Sequence, residues 1–318
     1  MKYSVLIIGA GQLGSRYLQG LVQVGFALDI YIVDPNQRSL DVAMGRWKEA
    51  DGASSHHSLV SSVTYEKIPS LIDLVICTTT ANVRSMVVNE VVKHAKVKYW
   101  ILEKVLAPSI LQIDSIVESV RSWDGTAWVN TPRRMIDWYK NVKNNLSDSP
   151  IHVSVTGGGW GLACNGIHFL DMFAWWAGDG IVDVDVGQLD SVWFESKRCG
   201  FWEATGIIKV TTSRGSTMRL ECRREREDVL MNLTQDSFSW IIQEANCSAT
   251  RSDGLHIHGT TPLQSQMTTL LVESILFDGI CELPKLSVSA AIHRVFISAL
   301  TDHWVEYSKA DSSQLLIT

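Results

Sequence analysis

The chain opens on Tyr3-Ser4-Val5-Leu6-Ile7-Ile8, an apolar run rich in β-branched residues that predicts a strand buried on both faces. Residues 15–22 place apolar positions at helical spacing, and Ile30-Tyr31-Ile32-Val33 is a second apolar run. Helix is then expected over 39–49, and a polar loop over 51–62. Strands are expected at Leu71–Cys77, 98–102 and 127–129, with helices at 83–95 and 109–122 between them. This alternation predicts a parallel sheet covered by helices on both faces. From residue 151 the rhythm changes. Ile151-His152-Val153-Ser154-Val155-Thr156 alternates with a period of two, and further strands are expected over 182–195, 206–212, 216–222, 229–234 and 237–243. Little helix separates them, as in an antiparallel sheet with one covered face. One helix is expected at 166–176, stopped by Gly178, and two close the chain at 264–277 and 287–307.

The first strand, the first helix and the second strand enclose Gly9-Ala10-Gly11-Gln12-Leu13-Gly14 and end in Asp34. Strand, G-x-G-x-x-G, helix, strand and acid in one unit is the pattern of a dinucleotide site. Gly9 permits the tight turn, Gly11 the approach of a pyrophosphate, and Gly14 close packing of helix on strand. The helix N-terminus, with Gln12 and Leu13, offers free N–H groups and partial positive charge to phosphate. Asp34 lies twenty residues past Gly14, placed to accept from the ribose hydroxyls. Its charge favours NAD, while Arg38 offers NADP a counter-charge. The fold class expected is therefore α/β: an N-terminal Rossmann doubly wound parallel sheet, then a C-terminal α+β domain with an open, mainly antiparallel sheet. The domains are drawn as 1–128 and 129–318, with the last helix packing back on the first.

Composition narrows the function. Net charge is −6 and no basic tract stands out, which argues against nucleic acid and anionic membrane as partners. No apolar run reaches spanning length, and no basic-then-apolar leader opens the chain. The six cysteines are scattered with no C-x-x-C pair, as expected for reduced thiols of a cytoplasmic protein. The twelve tryptophans, many past residue 120, point to an aromatic core or a sugar-stacking surface. The adjacent His56-His57 pair is expected at the surface with its rings pointing apart.

Ligands of open α/β sheets sit beyond the carboxyl ends of the strands. Thr78, Thr79, Thr80 and Asn82 follow one such end and are expected to line the cofactor cleft; Glu103 and Lys104 follow another. A lysine there can hydrogen-bond a reacting hydroxyl or carbonyl and transfer a proton. Asn130, Arg133 and Arg134 follow the next end, and an arginine there can bind an anionic substrate group. A glycine-rich stretch, Gly157-Gly158-Gly159-Trp160-Gly161-Leu162-Ala163-Cys164-Asn165-Gly166, then leads into a helix with His168 and Asp171. The two share a face at i, i+3, so Asp171 is expected to orient the imidazole for acid–base work. No third group has telling spacing, so no metal site is assigned.

Taken together, Gly9-x-Gly11-x-x-Gly14, Glu103-Lys104, Asn130 with Arg133-Arg134, and Gly166-Ile167-His168-x-x-Asp171 resemble the Gfo/Idh/MocA oxidoreductases over nearly the whole chain. Leu283-Pro284-Lys285-Leu286 before a helix with His293-Arg294 is similar to that family's closing segment. The resemblance implies NAD(P)-linked hydride transfer at a hydroxyl or keto carbon of a sugar, cyclitol or nucleotide-activated sugar. It also implies a homodimer or homotetramer formed through the C-terminal sheet. Lys104 matches the family's Glu-Lys-Pro lysine and His168 its helix histidine. Trp160, Cys164 and Asn165 join Asn130, Arg133 and Arg134 as expected substrate contacts. Two positions depart from the pattern: Val105 stands for the proline after the lysine, and Cys164 for the aspartate four residues before the histidine. A nucleotide-sugar oxidoreductase of surface-polysaccharide synthesis and a non-catalytic dinucleotide sensor are the alternatives.

Overall fold

A computed structural model describes residues 2–52, 56–308 and 314–318. The chain divides into two units. The first comprises Met1–Ala107, Asp114–Asn130 and Pro262–Ser287, the second Pro108–Ile113, Thr131–Thr261 and Val288–Thr318.

The buried runs of the first unit form β1 (Tyr3–Ile8), β2 (Leu28–Val33), β3 (Ser58–Ser62), β4 (Leu71–Cys77), β5 (Lys96–Glu103) and β6 (Thr126–Asn130). They pair in the order β3-β2-β1-β4-β5-β6, every neighbour parallel. The helices α1 (Gln12–Leu21), α2 (Gln37–Glu49), α3 (Ala81–His94) and α4 (Ile110–Arg121) connect them. Leu6, Ile7, Ile30, Leu74, Val75 and Ile101 are wholly buried, and each contributes about 1.5–3 kcal/mol of apolar transfer.

Two expectations change here. The polar loop drawn over 51–62 contains the edge strand β3, whose register with β2 runs from Asp29↔Ser58 to Val33↔Ser62. Serine-rich and half-buried, it is held by backbone pairing rather than by an apolar pattern. The second change concerns the domain border. The helix α7 (Gln264–Asp278), assigned by sequence to the second domain, belongs to the first unit, while residues from Val288 onward belong to the second. α7 lies on α1 because Gly20 has no side chain: a Cβ there would stand 2.3 Å from the Ser265 carbonyl oxygen and 2.6 Å from Thr268 Cβ. Thr269 Oγ1 donates to the Gly20 carbonyl at 3.0 Å.

In the second unit, α5 (Asp137–Asn144), β7 (His152–Gly158) and α6 (Leu162–Ala177) come first. The strands β8 (Ile181–Leu189), β9 (Phe194–Glu195), β10 (Trp202–Glu203), β11 (Gly206–Thr212), β12 (Thr217–Arg223), β13 (Glu227–Gln235), β14 (Phe238–Gln243), β15 (Ser248–Arg251) and β16 (His256–His258) follow. The long helix α8 (Leu286–Ser308) joins the unit from Val288. Eight strands form one sheet, β16-β15-β14-β13-β7-β12-β11-β8, antiparallel except for β12 on β7, while β9 and β10 make a separate ladder. The period of two is plain in β13, where Met231 and Leu233 are buried and Asn232 and Thr234 exposed. The helix α6 starts four residues before its expected start. Gly161, at φ +83°, caps it, and Gly166 lies inside it, where a Cβ would meet the Phe296 ring at 3.0 Å. Neither α5 nor the β15–β16 hairpin was expected from the sequence.

Candidate functional site

In the first unit the strand order reverses between β1 and β4, and all six strands end on one edge. The glycine loop is built at that reversal. Gly9 takes φ +93°, and Thr78 Oγ1 closes the turn by donating to the carbonyls of Gly9 at 2.7 Å and Ile8 at 3.0 Å. A Cβ on Gly14 would stand 1.8 Å from the Gly9 oxygen, so only glycine lets α1 start there. Gly11 is different: nothing lies within 4 Å of its missing Cβ, and the space before α1 is open. Gly11 caps α1 without a side-chain bond, and no acid occupies the first turn. The first N–H groups of α1 are therefore left without a side-chain cap or an adjacent acid. Half-exposed Asp34 borders the loop. Its Oδ2 accepts from Ala10 N at 2.7 Å and its Oδ1 from Asn36 N at 2.8 Å, which aims the carboxylate at the loop. Arg38 is exposed on the first turn of α2, and the Gln12 amide is engaged by Arg46 at 2.8 Å.

The other expected cofactor residues divide. Thr80 Oγ1 bonds Asn82 Oδ1 at 2.6 Å at the start of α3. Thr79 contributes its carbonyl to Arg84. Glu103 is turned inward, against expectation: it is buried, with Oε1 accepting from Tyr17 Oη at 2.9 Å and Asn130 Nδ2 at 2.8 Å. Burial raises its pKa despite those donors. Asn130, expected to contact substrate, is likewise buried and bonds Glu103 and Gln264. Both side chains tie β5 and β6 to α1 and α7 through Glu103 Oε1 and Asn130 Nδ2. Lys104 is half-buried just past β5, and its peptide bond to Val105 is cis. Sequence reasoning missed Arg84. Wholly buried on α3, it donates to the carbonyls of Thr79 and Val105, and to that of Leu106 at 3.1 Å, so it brackets the segment after Lys104. The signal was one arginine on the apolar face of a helix.

In the second unit the two arginines are internal ties, neither a solvated turn nor open anion binders. Arg134 Nε and Nη2 reach both oxygens of Asp171, at 2.8 and 2.7 Å. Arg133 Nε donates to Glu244 at 2.8 Å, and its guanidinium lies 4.3 Å over the Phe169 ring. Burial disfavours the Arg133 charge, but Glu244 and Tyr139 more than offset it and leave its pKa raised. Asp171 forms a fork-on-fork pair with Arg134, which fixes α6 to the turn after β6. Burial raises the Asp171 pKa against the pull of Arg134. His168 is half-buried on the same helix. Among the described residues no three His, Cys, Asp or Glu side chains converge as a metal site.

One turn before His168, a cavity of about 620 Å³ opens in the second unit, lined by Trp160, Cys164 and Asn165 from the expected set. Glu203, which the sequence did not single out, also lines it. Its carboxylate accepts from the backbone N–H of Ala163, of Ala204 at 3.1 Å and of Cys164 at 3.3 Å. Burial raises its pKa, although the Cys164 thiol and these amides oppose the rise. The only available sequence cue was a carboxylate in the apolar run Phe201-Trp202-Glu203-Ala204.

No protein-family model matches the chain, and no curated protein matches it in sequence. Solved structures match over nearly the full length. UDP-N-acetylglucosamine 3-dehydrogenase GnnA from Acidithiobacillus ferrooxidans has a TM-score of 0.70 at 15% identity, covering 94% of this chain and 96% of that one. The super-repressor mutant of Gal80p from Saccharomyces cerevisiae has a TM-score of 0.73 at 14% identity, with 96% and 97% covered. Myo-inositol dehydrogenase from Lactobacillus casei, in complex with NAD(H) and myo-inositol, has a TM-score of 0.64 at 13% identity, with 96% of each chain covered. At these identities the likeness is one of fold: a six-stranded parallel Rossmann-like sheet with helices, and a separate mixed, mostly antiparallel sheet.

Proposed function

We propose that the chain is an NAD(P)-dependent oxidoreductase of the Gfo/Idh/MocA kind, acting at a hydroxyl or keto carbon of a sugar, cyclitol or sugar derivative. The observation that carries this reading is the pairing of an open Gly11 with an Asp34 carboxylate aimed at the same loop. The fold neighbours support it: one is a nucleotide-sugar dehydrogenase, and another holds NAD(H) with a cyclitol. The residues fit the cofactor. N–H groups of Gly11, Gln12, Leu13 and Gly14 would hold the pyrophosphate, and Asp34 the ribose hydroxyls, its charge favouring NAD. Bound nicotinamide supplies the hydride chemistry. Lys104 is assigned to polarise the reacting oxygen and move its proton, and His168 to serve as the second proton-handling group. Arg84 and Asp171 are positioning residues, the first beside the Lys104 segment and the second on the helix of His168. Six free cysteines support a cytoplasmic setting, and the outward face of the eight-stranded sheet, with Ile241 exposed, is our candidate for homo-oligomer contact.

Titration with NADH and NADPH, followed by turnover on sugars and nucleotide sugars, tests the proposal. Lys104→Met is expected to abolish turnover and leave NADH affinity within about twofold; retained turnover removes Lys104 from its role. The likeness to Gal80p favours one second reading, a dinucleotide-sensing regulator. On that reading this chain would bind NADH and exchange no hydride with any sugar.

A further inference from the structure

We infer that Glu203 is a positioning residue for His168: its carboxylate, reaching from β10, fixes the start of the helix on which His168 stands. The inference rests on the dehydrogenase reading for what His168 does, and on the second unit alone for how it is held. The helix α6 begins at Gly161, which has no side chain to cap it. Its first N–H groups therefore need an acceptor from elsewhere. The Glu203 carboxylate, forty residues beyond Ala163, supplies it. It accepts from the N–H of Ala163, from that of Cys164 at 3.3 Å, and from the Cys164 thiol. Glu203 is only 6% exposed, so solvent screens these contacts little. Glycine at 161 makes the room: a Cβ there would stand 2.9 Å from Glu203 Oε2 and 3.1 Å from Asn165 Nδ2. The usual cap residues, serine or aspartate, are thereby shut out of that position.

Glu203 is itself firmly held. β10 lies outside the eight-stranded sheet and pairs with β9, Glu203 opposite Phe194. Trp202 N donates to the Leu316 carbonyl at 2.8 Å, and the Trp202 ring packs on Trp304 with centroids 5.1 Å apart. Leu315 and Ile317, on either side of Leu316, are wholly buried. A two-residue strand fastened by three contacts thus delivers one carboxylate to one helix end. Burial disfavours a charged carboxylate, so a polar residue on the helix itself would be the more stable cap. What the arrangement adds is placement. Cys164 and His168 stand at i and i+4 and share a face of α6. Asp171, three residues past His168, is clamped by Arg134 at 2.8 and 2.7 Å. His168 is therefore bracketed along α6 by two buried carboxylate contacts, Glu203 before it and Asp171 after it. A helix pinned on both sides of a proton-handling group cannot slide, and a misplacement of about 1 Å there costs about a hundredfold in rate.

The test uses the full chain with isotope-labelled histidine. The imidazole NMR signals of His168, assigned by their loss in His168→Gln, are compared in wild type, Glu203→Gln, Cys164→Asp and the double variant. Cys164 is the third residue of α6, where an aspartate offers a carboxylate to the same helix start. Glu203→Gln is expected to shift the His168 signals, and Cys164→Asp to return them toward wild type in that background. With Glu203 present, Cys164→Asp is expected to shift them instead, because two carboxylates then crowd one site. A residue that served packing alone would not give this reversal. NAD-linked turnover on myo-inositol and UDP-N-acetylglucosamine is expected to follow: kcat falls about ten- to a hundredfold in Glu203→Gln and recovers in part in the double variant, with KM and NADH affinity within about twofold. His168 signals unchanged in Glu203→Gln, or Cys164→Asp acting alike in both backgrounds, overturns the inference. Should Glu203→Gln fail to fold, Glu203→Asp replaces it, since withdrawing the carboxylate by one methylene is expected to shift the same signals. A wild type that binds no NADH or oxidises neither probe removes support from the dehydrogenase reading, and the His168 signals still decide the inference.

Discussion

Gly11 and Gly14 carry different burdens within one motif, and substitution separates them. Alanine at Gly14 drives a Cβ into the Gly9 carbonyl, so Gly14→Ala is expected to lower both stability and NADH affinity. Alanine at Gly11 meets no protein atom, so Gly11→Ala is expected to keep stability within about 1 kcal/mol while weakening NADH at least tenfold. Equal NADH affinity in Gly11→Ala and wild type would remove the pyrophosphate from the loop. Glu103 gives a pH signature. Burial raises its folded pKa above the unfolded value, so between the two the folded state holds more protons. Its contribution is therefore most favourable at low pH and is lost as pH rises through the raised folded pKa. Glu103→Gln keeps the Oε1 acceptor for Tyr17 and Asn130, and denaturation across that window should show the wild type falling relative to the variant as pH rises. The turn at Gly9, the close packing at Gly14 and the place of Asp34 beside the loop were legible because each is set by local sequence. Glu103 and Asn130 were legible as positions on a strand end, but not in direction. The partners that turn them inward, Tyr17 and Gln264, stand far away in sequence.

At the scale of elements, what escaped the sequence is what carries no apolar period. β3 is a serine-rich edge held by its ladder with β2, and α5 is short and polar on one side. Two buried ion pairs also escaped, since each joins residues tens of positions apart. Arg134 with Asp171 fixes the start of the second unit to α6, and Arg133 with Glu244 fixes it to the turn after β14. Removing one partner strands a buried charge. Asp171→Ala is expected to destabilise by about 3–5 kcal/mol in denaturant titration, with Arg134→Met in the same chain restoring part of the loss. An unchanged midpoint in the single variant would make the pair incidental. The apolar strands and long helices were legible throughout, because burial on both faces or on one stripe writes its period directly into the chain.

At the scale of the molecule, the first unit is discontinuous. A fragment ending at Asn130 contains all six strands of the parallel sheet but not α7, whose Met267, Leu271, Val272, Ile275 and Leu276 are buried. Their loss removes about 1.5–3 kcal/mol per side chain of apolar transfer, in sum comparable to a typical domain's whole net stability. The fragment is therefore expected to lack a cooperative thermal transition and to bind no NADH, while the intact chain shows both. Sequence reasoning placed the border within a few residues of Asn130 but left Pro262–Ser287 on the wrong side, because an amphipathic helix does not state which sheet it covers. The return of α7 also orders events on the ribosome. After Asn130 has emerged, the remaining stretch to Ser287 needs roughly ten to thirty seconds of synthesis. During that time the nascent glycine loop and its sheet wait without the helix that closes α1. The exposed apolar flank of α1 is the surface a chaperone would meet first, and on the proposed reading dinucleotide capture becomes one of the last steps of biogenesis.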